Sequence, residues 1–573
     1  MRLIKYLKPY FIYAILAAVS MIGEVICDLY LPLHMKDIID IGIKQSQTNV
    51  IYEHGIYMLI LACIGGVCGF LSAVFASVCS QKFANDLRKD TFQKVLNISW
   101  EQTDKFTTGS LVTRITNDVT AVQQLVAMSV RMFVRTFMLF FGGITFMLSI
   151  EPEFGYILMA VLPCEIILLV LFIRRVNPLF SQVQTSLDGV NEVMQENVTG
   201  ARVVKAFANE EYEKERFNKS SVNLSNVSIK VQKLMAYMSP FLTFFLDVTV
   251  ILIILVGGNK VFQDVGFEIG SVSAALTYVM QILMAVMSMG MLFQNVARAS
   301  ASSKRILAVL DTKPSIISGT NTDVSMNGVV EFKDVTFKYS TGNNVIENIS
   351  FKLNEKETLA ILGATGSGKT TIVNLIPRFF DVTSGDIYIN DVSVKEYDLE
   401  YLRKNIGIVL QKSELFSGSI LDNIKWGNSE ATMEEVIWAT KIAQAHDFIS
   451  SFKNGYDTII GEKGSSLSGG QKQRICIARA ILKKPKLLIF DDATSALDLS
   501  TEAKLYQALK EALDDTSIIL IAQRVASAKG ADKILVLDDG KVSDIGTNEY
   551  LLEHNSVYQD IYYSQLKKEG GNL

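Results

Sequence analysis

A chain of 573 residues is too long for one domain, and a hydrophobic fraction of 49% is unusual for a soluble protein. The net charge of −4 gives no indication of nucleic-acid binding, so we expect no nucleic-acid partner. The six cysteines show neither the spacing of a metal site nor that of a disulfide framework. Long apolar runs are confined to the first half, so the composition predicts a membrane-embedded first half and a water-soluble second half.

The first half contains six apolar segments, each close to the ~20 residues that a helix needs to cross a bilayer. We place these spans at residues 10–33, 56–79, 132–150, 155–174, 238–257 and 272–295. Lysine and arginine are concentrated before the first span and in the connections 80–123 and 175–236, and the other connections are poor in them. The positive-inside rule therefore predicts a multi-pass membrane protein with both termini in the cytoplasm.

The two long basic connections carry an amphipathic, helix-rich pattern and are too long to lack structure. We expect the membrane helices to continue into the cytoplasm and to turn at residues 108–118 in the first connection and 208–211 in the second. Because the second half of the chain offers a surface to dock against, we predict a docking role for these turns. A solvated helical hairpin is the alternative.

Ionisable side chains inside the predicted spans are candidate substrate contacts. Glu24 and Asp28 are four residues apart and therefore lie on one face of the first span. Carboxylates at membrane depth usually face a cavity or a partner, so the pair is interpreted as a contact for cationic amphipathic substrates. The alternative is that both lie in water near the outer interface.

Methionines line one face of the sixth span, at Met280, Met284, Met287 and Met291. Methionine is adaptable and suits surfaces that accept many apolar ligands, which makes the stripe a candidate substrate surface. Packing against neighbouring helices explains the same spacing equally well.

A phosphate-binding loop follows the buried-strand pattern of residues 357–362. Its residues are Gly363, Ala364, Thr365, Gly366, Ser367, Gly368, Lys369, Thr370 and Thr371. The loop has the G-x-x-x-x-G-K-[ST] spacing between a strand and a helix, where glycines let backbone N–H groups converge on phosphates. Lys369 is expected to reach the β- and γ-phosphates, and Thr370 to hold Mg²⁺.

A second apolar strand, at residues 486–490, ends in Asp491 and Asp492. An acidic residue at the carboxyl end of a buried parallel strand lies where such sheets bind ligands. Asp491 is therefore the expected carboxylate on the Mg²⁺ side of a P-loop ATPase.

The segment Leu467-Ser468-Gly469-Gly470-Gln471 resembles the signature of ABC ATPases, and other motifs of that family follow in order. The resemblance implies ATP and Mg²⁺ as cofactors. It implies that Tyr339 stacks on adenine and that Gln411 senses Mg²⁺ and touches the membrane domain. Nucleotide contacts are further implied for the signature residues Ser468, Gly469, Gly470 and Gln471.

With six spans in front, the resemblance covers nearly the whole chain and indicates a multidrug-resistance-like, type IV ABC exporter half-transporter. The implied fold class is a multidomain membrane protein, in which an all-α six-helix transmembrane domain precedes an α/β P-loop nucleotide-binding domain. We place the first domain at 1–300, a linker at 301–325 and the nucleotide-binding domain at 326–573. The family pattern also implies two composite ATP sites, each pairing one domain's phosphate loop with the other's signature.

Two positions depart from the family pattern. The residue after Asp491 is normally Glu, the base for the attacking water, but here it is Asp492, whose carboxylate falls back by roughly 1 Å. The switch position, normally His, is Gln523, which has no titratable proton. Two such changes beside an intact phosphate loop predict a site that binds ATP and hydrolyses it poorly.

An impaired site with an intact signature resembles one subunit of a heterodimeric bacterial exporter. The partner would be a second ABC half-transporter with the normal Glu and His, and Ser468 and Gly470 would complete its working site in trans. We therefore predict ATP-driven multidrug-type export of small amphipathic or hydrophobic compounds across the plasma membrane, in contact with membrane lipids. The alternatives are a homodimer, a lipid flippase, a peptide exporter, or a channel or regulator on the same scaffold.

Overall fold

The computed structural model describes residues 2–262, 268–322, 325–340 and 342–569. The chain divides into two compact units. Unit 1 comprises Met1–Leu96 and Thr108–Thr312, and unit 2 comprises Asn97–Thr107 and Lys313–Leu573.

Unit 1 is helical. Its helices are α1 (Phe11–Asp37), α2 (Thr48–Asn97), α4 (Thr108–Thr113), α5 (Val119–Met128), α6 (Val134–Ile150), α7 (Pro152–Thr199), α8 (Ala201–Ala206), α9 (Glu210–Phe262) and α10 (Ile269–Leu310), and α3 (Trp100–Phe106) falls in unit 2. Within the described residues, six helical stretches are long and apolar enough to cross a membrane: Lys8–Ile43, Thr48–Asn97, Thr108–Ile150, Pro152–Thr199, Glu210–Phe262 and Ile269–Met289.

Three of these helices are far longer than a bilayer requires. α2, α7 and α9 have 50, 48 and 53 residues, whereas ~20 residues suffice to span the hydrocarbon. The expectation that the membrane helices continue beyond the apolar core is confirmed.

The core of unit 1 forms where α6, α7, α9 and α10 meet. Met147, Phe154, Ile253 and Ile282 are fully buried there. A Cβ on Gly143 would lie 2.7 Å from Ile282 Cγ1, so the glycine permits the close approach of α6 and α10. These contacts bury one face of each of the four helices.

The turning point expected at residues 108–118 is wrong. These residues are helical, as α4 followed by a π-helical stretch at Arg114–Asp118. The chain turns earlier, around α3 and at Thr107, which has a φ of 55°. The polar Asp118, which resembled a turn residue, instead accepts hydrogen bonds from Ser302 Oγ and Arg305 Nε of α10, both at 2.8 Å.

The second connection turns where expected. α8 ends at Ala206, Ala208 has a φ of 51°, and α9 begins at Glu210.

The described residues of unit 2 form twelve strands and further helices. The strands are β1 (Val330–Phe337), β2 (Ile346–Leu353), β3 (Thr358–Gly363), β4 (Ser384–Ile389), β5 (Val392–Ser393), β6 (Ile406–Val409), β7 (Gly418–Ser419), β8 (Ile459–Ile460), β9 (Leu487–Asp491), β10 (Ser517–Ile521), β11 (Lys533–Asp538) and β12 (Lys541–Gly546). The helices are α11 (Lys369–Leu375), α12 (Leu399–Asn405), α13 (Ile420–Lys425), α14 (Met433–Ile442), α15 (His446–Ser451), α16 (Gly469–Leu482), α17 (Leu499–Ala512), α18 (Val525–Ala528), α19 (Asn548–His554) and α20 (Ser556–Glu569).

The larger sheet has six strands in the order β12-β11-β3-β10-β9-β6, and all its pairs are parallel except β11–β12. A four-stranded antiparallel sheet has the order β2-β1-β4-β5, and β7 pairs with β8. β9 and β10 are buried along their whole length, as expected for central parallel strands covered on both faces. β10 lies between β3 and β9, so the loops after these three strands meet at one edge.

Residues 97–107, which belong to the first long connection, pack within unit 2. The Trp100 ring lies 5.3 Å from that of Phe379, and Gln102 Nε2 donates to the Lys313 carbonyl at 2.7 Å. α10 continues to Leu310, so the first part of the expected linker is helical.

Candidate nucleotide-binding site

The phosphate loop connects β3 to α11 at the carboxyl edge of the six-stranded sheet. Gly366 and Gly368 have φ values of 87° and 95°, which only glycine adopts without strain. A Cβ on Gly368 would also lie 2.5 Å from Ile346 Cγ2. The glycines are therefore required by both conformation and space.

Lys369 folds back over this loop. Its Nζ donates to the Gly363 and Ala364 carbonyls at 2.8 and 2.7 Å. Burial lowers the pKa of Lys369. The ammonium is thereby held at the centre of the loop, at the position expected for a phosphate contact.

Thr370 and Asp491 meet although they are far apart in sequence. Thr370 Oγ1 donates to Asp491 Oδ1 at 2.9 Å. Burial raises the pKa of Asp491, and the bond from Thr370 opposes this effect. A hydroxyl and a carboxylate placed side by side are the ligand types that hold Mg²⁺ in P-loop ATPases.

A cavity of about 490 Å³ opens over the loop. Its lining includes Gly363, Ala364, Thr365, Gly366, Gly368, Lys369, Thr370, Thr371, Gln411, Asp492 and Gln523. Ser367 Oγ is buried and has no hydrogen-bond partner within the described ranges. An unpaired buried donor in a glycine-rich loop with a lysine fits a polyanionic phosphate chain.

The two residues that depart from the family pattern are in contact. Gln523 Nε2 donates to Asp492 Oδ2 at 2.6 Å, and Gln411 also hydrogen-bonds this carboxylate. Burial raises the pKa of Asp492, and the bond from Gln411 opposes the shift. The predicted base and switch residues therefore form one hydrogen-bonded group facing the cavity.

Tyr339 lies beside the cavity. Its hydroxyl is 3.2 Å from Thr371 Oγ1, and its ring stands edge-on to Phe337 and Phe380. These two aromatic neighbours restrict the orientation of the Tyr339 ring.

The signature residues begin a separate helix. Ser468 caps α16 by accepting from Gln471 N at 3.3 Å, and Gln471 Oε1 accepts from Ser468 N at 2.9 Å. A Cβ on Gly470 would lie 3.0 Å from the Ala496 carbonyl. In the part of the chain that the structure describes, none of the residues 468–471 lines the nucleotide cavity.

Two family models match the chain, one for the ABC transporter transmembrane region over residues 13–286 and one for the ABC transporter over residues 346–495. A Bacillus subtilis (strain 168) protein named "Uncharacterized ABC transporter ATP-binding protein YfiB" is 38% identical over 571 residues, which cover 99% of each chain. This chain belongs to the ABC transporter family.

Other similarities refine the description. The "ATP-dependent lipid A-core flippase" of Syntrophus aciditrophicus (strain SB) is 31% identical over 515 residues, covering 89% of this chain and 85% of the relative. The solved structure of a bacterial Atm1-family ABC exporter with ATP bound superposes with a TM-score of 0.81 at 23% identity, covering 98% of each chain. The fold is thus that of an ABC exporter half-transporter, in which six apolar helices precede an α/β ATPase domain.

One residue of this ABC transporter's nucleotide site escaped sequence reasoning. Gln565 of α20 accepts from Val525 N and donates to the Gln523 carbonyl, both at 2.8 Å, and it lines the cavity. It anchors the backbone on which Gln523 is carried. Gln565 lies 42 positions beyond Gln523 in a helix without a motif, and the sequence contains no signal for this contact.

The carboxylates of the first span have a partner that the sequence analysis missed. Arg135 of α6 donates to Glu24 and, at 2.9 Å, to Asp28 Oδ2. Glu24 Oε2 is buried without a partner among the described residues. Arg135 also lines a cavity of about 450 Å³ with Arg131 and Met21. The signal that could have revealed this partner is the position of Arg135, a basic residue inside the predicted span 132–150.

The methionine stripe is exposed on α10. Met280, Met284 and Met287 are 50%, 67% and 38% exposed, whereas Ile282, Leu283 and Val286 on the other face are buried. The side chain of Met291 lies outside the described part of the structure. The three described methionines therefore do not form the packing face of this helix within the chain.

Proposed function

We propose that this ABC exporter works as one subunit of a heterodimer whose own nucleotide site binds ATP and hydrolyses it slowly. The observation that supports the proposal is the contact between Gln523 Nε2 and Asp492 Oδ2 at 2.6 Å. The short carboxylate is held by an amide that cannot take up a proton. A raised pKa alone would favour Asp492 as a base. Its side chain is, however, one methylene shorter than Glu, and its Oδ2 already accepts a hydrogen bond from Gln523.

The residues that would bind the nucleotide fit ATP and Mg²⁺. Lys369 and the loop N–H groups would hold the phosphates, and Thr370 and Asp491 would hold the metal ion. Bound Mg²⁺ would neutralise charge on the phosphate oxygens. Tyr339 would bind the base. The residues that bind the nucleotide are therefore present, whereas the two residues that promote hydrolysis in the family are replaced here by Asp492 and Gln523.

The signature would serve the other subunit. Because residues 468–471 do not line the chain's own cavity among the described residues, Ser468 and Gly470 are free for a phosphate loop from another domain. The partner would be a half-transporter with the catalytic Glu and switch His intact and an altered signature. A homodimer would instead contain two slow sites.

The composition of the assembly tests this proposal. The chain is purified from its native membrane through an affinity tag, and the copurifying half-transporter is sequenced by mass spectrometry. We expect an equimolar second chain with Glu and His at the positions of Asp492 and Gln523. A native mass of two identical chains with rapid ATP turnover would overturn the heterodimer.

For the substrate, we propose small amphipathic or hydrophobic compounds exported across the plasma membrane, with both termini in the cytoplasm. The exposed methionines of α10 and the cavity beside α1 and α6 support this substrate class. Arg135 pairs with both Glu24 and Asp28 and offsets their negative charge, so these carboxylates no longer favour cationic compounds over neutral ones.

Lipid flipping is the second candidate. Arg131 Nε is buried without a partner among the described residues, and Arg131 and Arg135 both line the 450 Å³ cavity. The unpaired guanidinium donor of Arg131 suits an anionic head group. Stimulation of ATPase activity by an anionic lipid, and not by cationic or neutral dyes, would favour flipping. The reverse pattern would favour multidrug-type export.

A further inference from the structure

Two of the chain's four histidines meet in unit 1, at the end of α1 and the start of α2. His34 Nδ1 lies 3.1 Å from His54 Nδ1. Nothing in the proposed nucleotide chemistry uses these residues.

A carboxylate completes the group. Asp37 Oδ2 lies 3.5 Å from His54 Nδ1, and one ligand atom from each of the three residues lies within 4.8 Å of the others. With zinc–ligand bonds of about 2.0–2.1 Å, neighbouring ligand atoms of a tetrahedral site are about 3.3 Å apart. The two measured separations lie on either side of that value. The three potential ligand atoms therefore cluster within 4.8 Å of one another, which is more than the single contact between His34 and His54 requires.

The fold keeps the three side chains in place. His34 and Asp37 are three residues apart on α1 and share a face. Gly42 lies in the π-helical stretch Ile38–Ile43 that follows α1. A Cβ on Gly42 would lie 2.5 Å from Ile51 Cγ1, so this stretch and α2 approach closely beyond the cluster. The Gly42 carbonyl accepts from Gln47 N at 2.9 Å, which closes the connection.

An aromatic side chain supports both imidazoles. The Tyr57 ring lies 5.7 Å from that of His34 and 5.9 Å from that of His54. Its hydroxyl donates to Glu53 Oε1 at 3.0 Å, which fixes the tyrosine. Residues that hold the ligand side chains in place favour metal binding, because imidazole rings that are already oriented lose less mobility when the ion binds.

We propose that His34, Asp37 and His54 form a binding site for a divalent cation of the zinc class. Two imidazoles and one carboxylate suit Zn²⁺ better than Mg²⁺ or Ca²⁺, which prefer oxygen ligands. The side chains of His54 and Asp37 are 20% and 37% exposed, so a cation can enter and water can take the fourth position. In the predicted topology the site lies on the outer side of the membrane.

Metal titration of the full-length chain, without a polyhistidine tag and in nanodiscs, tests the proposal. Zn²⁺ is titrated in competition with a chromophoric chelator, and Co²⁺ is added separately to record its visible absorption. We expect one tight equivalent with the spectrum of a four-coordinate nitrogen–oxygen site. Thiolate charge-transfer bands would place the ion on cysteines instead and overturn the assignment.

Substitutions locate the ion. Loss of groups that only support ligands costs about 10–100-fold in metal affinity, so His34→Gln and His54→Gln should each weaken Zn²⁺ binding by more than that. Asp37→Asn should weaken it and leave a detectable site. His554→Gln is the matched control, because that exposed histidine lies in α19. ATP binding and a monodisperse elution profile confirm that each variant is folded.

Thermal stability provides an independent measurement. A ligand that binds the folded state raises Tm, so Zn²⁺ should stabilise the wild type and His554→Gln and should leave His34→Gln unchanged. A wild type that binds no Zn²⁺, or a folded His34→Gln/His54→Gln double variant that keeps the tight equivalent, would overturn the proposal.

Discussion

Restoring the family residues at positions 492 and 523 should accelerate ATP hydrolysis at this chain's own site. Asp492→Glu moves the carboxylate forward by roughly 1 Å, a displacement that can change the rate about 100-fold. Gln523 Nε2 lies 2.6 Å from Asp492 Oδ2, on the side where the longer side chain extends. The single change should therefore gain little until Gln523→His removes the amide.

The expected magnitude follows from this geometry. A 100-fold gain corresponds to about 2.7 kcal/mol of transition-state stabilisation. We expect the double variant to approach that gain, and each single variant to show less than about a tenfold gain, because residues in contact do not act additively. This site also needs the signature motif of the partner subunit, so we expect the largest gain in the assembled transporter.

The assay is single-turnover hydrolysis of ATP by the purified transporter in nanodiscs, with ATP affinity measured in parallel. Asp539→Glu is the control, because Asp539 is exposed and, like Asp492, has a positive φ, 42° against 51°. The Asp539→Glu variant reports the cost of replacing Asp by Glu at a position with a positive φ. A folded, ATP-binding double variant no faster than the wild type would show that residues 492 and 523 do not limit hydrolysis at this site.

Three further predictions concern other sites. Ser468→Arg should nearly abolish the ATPase activity of the assembled transporter, since the loss of a contact that stabilises the transition state costs about 2.7–4 kcal/mol. Ser468→Ala is the control, because it removes only the cap of α16 and should lower stability by ~1 kcal/mol. Glu24→Gln with Asp28→Asn should destabilise the membrane domain by about 1.5–3 kcal/mol, because the partly exposed Arg135 loses its charged partners. Adding Arg135→Gln should restore the Tm, and equal Tm values for the two variants would contradict the ion-pair account. Dye export compared between the two variants reports substrate charge preference. Gln565→Ala should release the Gln523 loop and weaken ATP binding severalfold in a fluorescence titration, and unchanged affinity would show that the helix α20 contact is dispensable.

The sequence predicted those parts of the molecule that depend on local patterns. Six runs of about 20 apolar residues are long enough to cross a bilayer, and a helix satisfies all their backbone hydrogen bonds there. The glycines of the phosphate loop and Asp491 were identifiable because their spacing and strand context carry the chemistry. All of these features depend on neighbours in sequence or on a known supersecondary unit.

Contacts between distant residues were beyond the sequence. Asp118 resembled a turn residue, yet it is buried by its bonds to Ser302 and Arg305, more than 180 positions away. The pairing of Arg135 with Glu24 depends on which faces of α1 and α6 meet, and helical periodicity alone does not fix that register. The meeting of His34 and His54 depends on the turn between α1 and α2, which no local sequence pattern specifies.

Asp492→Asn tests whether this chain's own nucleotide site contributes to turnover, with ATPase turnover and ATP occupancy measured on the same assembled transporter. If this chain's own site holds ATP without hydrolysing it at an appreciable rate, the substitution should leave turnover within about threefold of the wild type and leave occupancy intact. A loss of about 100-fold or more at unchanged occupancy would show that Asp492 is a working catalytic base and would contradict the account.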